Sequence, residues 1–142
     1  TAPGFSEINL TLLEEADQVL AVSALNHLPV VNNVKRSLDT FASLGYPPDK
    51  VKVVFTRVKA RDLDDKDNLQ QELPYPVVAL LPNDFNRVVT AVNSGVPFVT
   101  SQPEAPLAKS VIELAGLLST GGDFRPPASR SGLLAMFKRL FG

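Results

Sequence analysis

Cysteine is absent from this sequence of 142 residues, and histidine occurs only once, at His27. Without cysteine the chain can form neither disulfides nor thiolate metal sites, and an intracellular location fits its composition. A single histidine also argues against a histidine-rich metal centre or a His-based catalytic triad within the chain. Long apolar runs are missing too, because none approaches the roughly 18 residues that a membrane-spanning helix needs.

Methionine is nearly absent, and its position is informative. The sequence begins with Thr1, and its only methionine is Met136. Either the start of the chain was processed or the chain is the C-terminal part of a longer protein, and we expect the second. Of its residues, 44% are apolar and 20% are charged, which is enough for one globular domain with a core.

The clearest local pattern lies between Pro76 and Pro97. Five consecutive apolar residues, Val77–Leu81, are too few for a buried helix but are typical of a strand covered on both faces. A polar loop follows, and apolar residues then recur at helical spacing until a glycine and a proline end the helix. Ligands bind at the carboxyl ends of strands in open α/β sheets, so the loop at 82–86 is a candidate site. Asn83 and Asp84 also suit a helix cap, and residue type alone favours the cap.

The rest of the chain alternates between strand and helix patterns. Four aspartates between 61 and 67 lack the glycine and the terminal glutamate of a calcium loop, so they indicate a solvated loop and no metal site. The predicted elements are, in order, a short helix near 8–15, a strand at 16–24, a helix at 29–44, a strand at 51–58, a short helix around Leu69 and Leu73, the strand and helix of the 76–97 segment, a short extended piece at Phe98–Thr100 and a final helix at 107–118.

This alternation implies βαβ units and an α/β fold with a mostly parallel, helix-covered sheet. Only three segments are convincing strands. A parallel sheet of three strands leaves an open edge and an uncovered face, which proteins avoid. We therefore expect the rest of the sheet to come from sequence outside this chain.

Six short motifs occur in a specific order and spacing. They are Thr1–Gly4 (TAPG), Ala16–Val19 (ADQV), Leu44–Tyr46 (LGY), Leu80–Asp84 (LLPND), Ala91–Gly95 (AVNSG) and Ala105–Ala108 (APLA). From Ala16 to Leu118 the chain resembles the C-terminal half of the MinD/ParA group of deviant Walker ATPases. Within that group it is most similar to the pilus-assembly and positioning branch called CpaE/TadZ.

The resemblance implies that this chain holds the C-terminal half of a P-loop NTPase fold. In such proteins the Walker B aspartate would stand just before Thr1, and the phosphate loop would lie far upstream. No Gly-x-x-x-x-Gly-Lys-[Ser/Thr] occurs here, and that motif cradles phosphates and coordinates magnesium. ATP and Mg²⁺ are therefore expected only in the complete protein, where ATP would promote a homodimer and hydrolysis would reverse it. This chain alone should be inactive, and we assign it no catalytic residue.

By the same resemblance, this half supplies the base end of the nucleotide site. The family closes the strand equivalent to 51–58 with an Asn-Arg pair, and a Pro-x-Asp loop follows the next strand. Here the corresponding cofactor-binding candidates are Thr56, Arg57, Pro82, Asn83 and Asp84. Thr56 offers one hydroxyl where the family has an amide, so adenine discrimination is either weaker or comes mainly from backbone groups of the Pro82 loop. Arg57 either stacks on the base or forms a surface ion pair.

The end of the chain resembles the membrane-targeting helix of MinD, which is also rich in Phe and Leu and closes in glycine. At 100° per residue its apolar side chains share one arc flanked by two basic ones, as in a helix lying in a membrane interface. Residues 1–124 carry a net charge of −5, and residues 125–142 carry +4. The alternative is a helix that docks onto its own core or a partner. The membrane-binding candidates are Leu133, Leu134, Met136, Phe137, Lys138, Arg139, Leu140 and Phe141.

Three segments follow from these patterns. Residues 1–118 form the half-domain, 119–130 are a Gly/Pro/Ser-rich flexible linker, and 131–142 are the amphipathic helix. The expected function is an ATPase that positions machinery at the inner face of the cell membrane, for pilus or secretion assembly or for cell division. The alternatives are a non-catalytic membrane adaptor that has lost its phosphate loop, and a chromosome- or plasmid-partitioning ATPase. The acidic body makes a DNA partner unlikely.

Overall fold

A computed structural model describes residues 7–25, 28–63 and 66–120 of the chain. The predicted Thr1–Gly4 loop, most of the predicted linker and the predicted membrane helix lie outside these residues. The elements in chain order are α1 (Glu7–Glu15), β1 (Val19–Ala24), α2 (Leu28–Ser43), β2 (Val51–Val58), a 3₁₀ helix (Ala60–Leu63), α3 (Lys66–Glu72), β3 (Val77–Pro82), α4 (Phe85–Ser94), α5 (Phe98–Ser101) and α6 (Pro106–Ser119).

The three strands form one parallel sheet in the order β1-β2-β3, so the predicted α/β class is confirmed. The register places Val19 beside Val51 and Val53 beside Val77. Because every strand runs in the same direction, each connection crosses back from the carboxyl end of one strand to the amino end of the next. All three carboxyl ends therefore lie along one edge of the sheet.

Helices cover both faces of β2, because alternate side chains of a strand point to opposite faces. On one face, Val53 and Phe55 pack in a large cluster with Leu38 of α2 and Leu69 of α3. On the other face, Val54 and Val78 form a smaller cluster with Leu114 and Leu117 of α6. The apolar runs at Val53–Phe55 of β2 and Val77–Leu81 of β3 follow from this double burial.

The α6 face of the sheet is left open over β1. By register, Leu20 lies beside Lys52 and Val22 beside Val54 on this face. Leu20 is 36% exposed and Val22 is 61% exposed, whereas Val54 is only 1% exposed. Just before β1, Gln18 Nε2 donates a long hydrogen bond of 3.4 Å to the Leu118 carbonyl at the end of α6.

Helix α4 has the predicted position but no covering layer in the described part of the chain. The spacing of its apolar residues predicted the helix correctly. Gly95 ends the helix in the left-handed conformation, with φ 70°. However, Phe85 is 67% exposed and Val92 is 75% exposed, and the described chain buries no residue of α4. The pattern therefore predicted the helix without showing what packs on it.

The extended piece predicted at Phe98–Thr100 is wrong. These residues begin the single-turn helix α5, which follows Pro97. Two backbone bonds close the turn, from Ser101 N to Pro97 O at 3.1 Å and from Gln102 N to Phe98 O at 2.8 Å. β-Branched and aromatic residues favour strands only weakly, and here the local hydrogen bonds override that preference.

No helix in the described ranges is both long and apolar enough to cross a membrane.

Candidate functional site

The five candidate cofactor-binding residues lie at the carboxyl ends of β2 and β3. Pro82 is paired with Val58, and Asn83 N donates a hydrogen bond of 3.0 Å to the Val58 carbonyl. This bond fastens the loop after β3 to the end of β2. The sheet thus brings the end of β2, with Thr56 and Arg57, next to the loop at 82–84.

Arg57 has an unusual backbone conformation. Its φ is 57°, and the β2–β3 register is irregular between Phe55 and Val58. A residue with a Cβ in the left-handed region costs roughly 1–2 kcal/mol, so the surrounding bonds must hold it there. Its side chain is exposed, and no hydrogen bond or ion pair of the guanidinium is recorded in the described part of the chain. The surface ion pair considered from the sequence is therefore not seen among the described residues.

Thr56, a residue of β2, is hydrogen-bonded to β1 and to the residue after it. Its carbonyl accepts a hydrogen bond of 2.9 Å from Leu25 N, just past the end of β1. Its hydroxyl lies 3.5 Å from the Ser23 carbonyl and donates to it, which is a long and weak hydrogen bond. The half-buried Thr56 side chain is thus turned toward β1.

Asp84 caps helix α4, as its residue type predicted. Its Oδ1 accepts a hydrogen bond of 3.2 Å from the backbone N of Arg87. Its Oδ2 lies 2.6 Å from Nε of the same arginine in an ion pair. Both carboxylate oxygens are therefore engaged by one residue, three positions along the helix.

Asn83 differs from its neighbour Asp84. Its side chain is exposed, and within the described residues no hydrogen bond of its carboxamide is recorded. The preceding Pro82 is buried and the following Asp84 is fixed by its cap. The loop backbone is therefore held on both sides of a side chain whose donors and acceptor remain available.

Two contributors to this edge were missed by sequence reasoning. Arg87 engages the Asp84 carboxylate, and the i, i+3 spacing of an acid and a base was a signal that could have revealed it. Ser23 supplies the carbonyl that faces the Thr56 hydroxyl. That contact depends on the β1–β2 register, and no local sequence pattern predicts it.

Across the ranges 7–25, 28–63 and 66–120 there is no group of three or more His, Asp or Glu side chains that could hold a metal ion. The edge of β2 and β3 instead offers one guanidinium, one carboxamide and backbone groups.

A solved structure shows the same fold. The chain is similar to a ParA family ATPase from Chlorobium tepidum TLS, with a TM-score of 0.67 and 16% sequence identity. The match covers 78% of this chain and 45% of that structure, so the chain spans less than half the length of the protein it matches. No family model matches the sequence, and no curated protein is significantly similar to it. At this identity the likeness establishes the fold.

Proposed function

We propose that this chain is the C-terminal half of a MinD/ParA-like ATPase, which positions cellular machinery at the inner face of the cell membrane through ATP-dependent dimerisation. The observation that carries the proposal is the parallel sheet whose β1 side is uncovered. Val22 is 61% exposed there, beside the fully covered Val54. A further strand and helix layer from upstream sequence would complete both the sheet and the nucleotide site.

The proposed upstream half would supply the phosphate- and magnesium-binding groups of the ATPase. The phosphate loop and the Walker B aspartate of the resembled family would lie before Thr1, and they would hold the phosphates and Mg²⁺. The described half contributes the loop at 82–84 and the Thr56–Arg57 pair to the base. Neither half is complete alone, and ATP would bind between the residues that they supply.

Membrane binding in this proposal depends on the C-terminal residues 131–142. An isolated helix of nine residues is unstable in water because nucleation is costly, so Leu133 to Phe141 would fold on contact with a bilayer. Lys138 and Arg139 would add roughly 1 kcal/mol each beside anionic lipid. One tail would bind weakly. A dimer carries two tails, so the second binds at high effective concentration and the dimer is retained.

The machinery is most simply a pilus or secretion apparatus, in line with the CpaE/TadZ resemblance, with a division site as the next choice. A partitioning role on DNA is disfavoured, because non-specific DNA binding needs a basic face and residues 1–124 carry a net charge of −5. The candidate from another class is a non-catalytic adaptor with a degenerate ATPase fold. It shares the membrane tail but has no nucleotide-dependent step.

Co-sedimentation of the full-length protein with anionic phospholipid vesicles, with and without Mg²⁺ and ATP, separates these functions. We expect ATP to raise the bound fraction severalfold, because dimerisation doubles the number of tails. Phe137→Asp, at the centre of the apolar arc, should abolish binding. Ala135→Ser, between Lys138 and Arg139 on the face opposite the apolar arc, should bind like the parent and serves as the matched control.

Two results would contradict the proposal in different ways. Vesicle binding that is unchanged by ATP would support the adaptor. Binding of Phe137→Asp at the parent level would show that the tail docks onto protein and not onto lipid.

A further inference from the structure

Helix α1 carries an apolar face that no element of the described part of the chain covers. Ile8 is 73% exposed and Leu12 is 63% exposed. They lie four positions apart on α1, so their side chains form one continuous face of the helix. A short apolar face of this kind is suited to packing against a second amphipathic helix.

The surface at the end of α1 is acidic. Glu14, Glu15 and Asp17 are exposed, and the sequence contains no Lys or Arg before Lys35. The Lys50 ammonium also reaches this place, where it donates a hydrogen bond of 2.8 Å to the Glu14 carbonyl. Three carboxylates beside one ammonium leave a net negative surface next to the apolar face.

The C-terminal segment 131–142 has the complementary composition. Placed at 100° per residue, its apolar side chains share one arc, and Lys138 and Arg139 flank that arc. Residues 125–142 contain four Lys or Arg and no acid. The segment therefore matches both parts of the α1 surface, the apolar face and the acidic end.

The path of the chain brings this segment to α1. Gln18 Nε2 donates to the Leu118 carbonyl, so the chain leaves the end of α6 beside the junction of α1 and β1. Residues 121–132 can extend to roughly 40 Å, whereas the nine residues of α1 span about 14 Å. Residues 133–141 can therefore lie along the whole of α1. Tethering by a short linker gives an effective concentration on the order of millimolar, so even a weak contact would be occupied.

We propose that α1 binds the C-terminal segment 131–142 of the same chain while the protein is off the membrane. The apolar arc of the segment packs on Ile8 and Leu12, and its basic side chains lie against the acidic end of α1. The regulatory consequence rests on the proposed function, because the docked arc is the one that would enter lipid. Helix α1 and the membrane then compete for the same side chains.

This competition makes the nucleotide step more selective. In the nucleotide-free protein a single segment is held by α1, and lipid has to displace it. An ATP-bound dimer offers two segments to the same bilayer, and the second binds lipid at high effective concentration. Docking on α1 therefore lowers membrane binding before ATP binds.

Zero-length carbodiimide crosslinking of the full-length protein, without nucleotide or lipid, tests the contact directly. The reagent joins a lysine amine to a carboxylate that touches it, and Lys138 is the only lysine after Lys109. We expect mass spectrometry to find Lys138 joined to Glu14, Glu15 or Asp17. A mixture of isotope-labelled and unlabelled protein should show that the link forms within one chain.

Two variants and a matched control show whether the apolar face holds the segment. Leu12→Ser and Ile8→Ser each remove one exposed apolar side chain without adding charge, and each should lower the yield of this crosslink at least fivefold. Val92→Ser removes an equally exposed apolar side chain from α4, where Val92 is 75% exposed, and should retain the parent yield. Parent yields in both α1 variants, or links from Lys138 only to carboxylates outside α1, would overturn the proposal. Links from Glu14, Glu15 and Asp17 to lysines before Thr1 alone would show that upstream sequence covers α1.

Co-sedimentation with anionic phospholipid vesicles in the absence of ATP measures the competition. Leu12→Ser should raise the bound fraction severalfold above the parent, and Val92→Ser should not change it. If the crosslink is absent while ATP still drives the parent onto vesicles, docking on α1 is wrong and the proposed function stands. If the crosslink forms but the parent never binds vesicles, the segment docks on α1 and the membrane step of the proposed function is wrong.

Discussion

Tyr75 shows how a single residue fixes the approach to β3. Its side chain is buried, and its hydroxyl donates a hydrogen bond of 2.7 Å to the Tyr46 carbonyl in the loop after α2. Gln70 completes the same junction, because its side chain donates to the Tyr75 carbonyl and accepts from Val77 N. The position of β3, and hence of the loop at 82–84, depends on these three contacts.

The hydroxyl of Tyr75 gives a pH-dependent prediction. Burial raises the pKa of Tyr75 above its ordinary value of about 10, because the ionised form is poorly solvated. The unfolded chain therefore loses this proton first, and the contribution of the residue to stability is complete below about pH 10 and is lost as the pH rises through the raised pKa. Tyr75→Phe should lower the free energy of unfolding by about 1 kcal/mol at neutral pH. The difference from the parent should shrink above pH 10.

Urea denaturation of the parent and of Tyr75→Phe at neutral pH and near pH 10.5 measures both effects. A difference that stays constant over this range would mean that the hydroxyl has no raised pKa in the folded protein.

Among the elements, helix α4 is organised by its first turn. Asp84 accepts from Arg87 N and pairs with the same side chain, so one carboxylate both caps the helix and neutralises its only cation. Asp84→Ala should destabilise the protein by about 1 kcal/mol, within the usual range for a lost cap. Asp84→Asn keeps a capping oxygen and should cost less, because an ion pair that is partly exposed contributes little.

Thermal unfolding of the two variants separates the cap from the ion pair. If Asp84→Asn destabilises as much as Asp84→Ala, the charge and not the capping oxygen stabilises the helix.

Most elements could be predicted from the sequence because they follow from local periodicity. Examples are the strands β2 and β3, which have buried side chains on both faces, and the end of helix α4 at Gly95. Helix α5 was missed because four residues are too short for a period, and a single turn is decided by its hydrogen bonds.

The geometry of the candidate site was predictable only in outline. The candidate residues lie at the ends of two neighbouring strands of the parallel sheet, and whether they bind a ligand stays a prediction. The sequence did not predict which of the side chains of Thr56, Asn83 and Asp84 form hydrogen bonds within the protein. The Thr56 contact with Ser23 spans 33 positions and depends on strand register, and the left-handed conformation of Arg57 has no signal in its residue type. Local patterns predict elements, whereas tertiary neighbours decide which polar groups are used.

For the whole molecule, β1 is one of the two edge strands of the described sheet. Val19 N donates to the Lys50 carbonyl and Leu25 N to the Thr56 carbonyl, so by the two-residue alternation the amides of Leu20 and Val22 face away from β2. Such a row of unpaired amides is a template for another strand. We expect an upstream strand of the complete protein to pair here.

Hydrogen exchange of the full-length protein tests this pairing. The Leu20 and Val22 amides should exchange as slowly as those of the central strand β2, where Val53 N is bonded to the Pro76 carbonyl. Val53 serves as the internal reference. Rapid exchange at Leu20 and Val22 beside slow exchange at Val53 would show that β1 is a true edge of the sheet.

The central claim is that the described fold is one half of a nucleotide site, with the phosphate-binding half upstream. ATP hydrolysis in the presence of Mg²⁺, measured for the full-length protein and for residues 1–142 prepared alone, tests it most directly. We predict magnesium-dependent turnover by the full-length protein and none by the isolated chain, because the chain has no phosphate loop. Magnesium-dependent turnover by residues 1–142 alone, or none by the full-length protein, would contradict the claim.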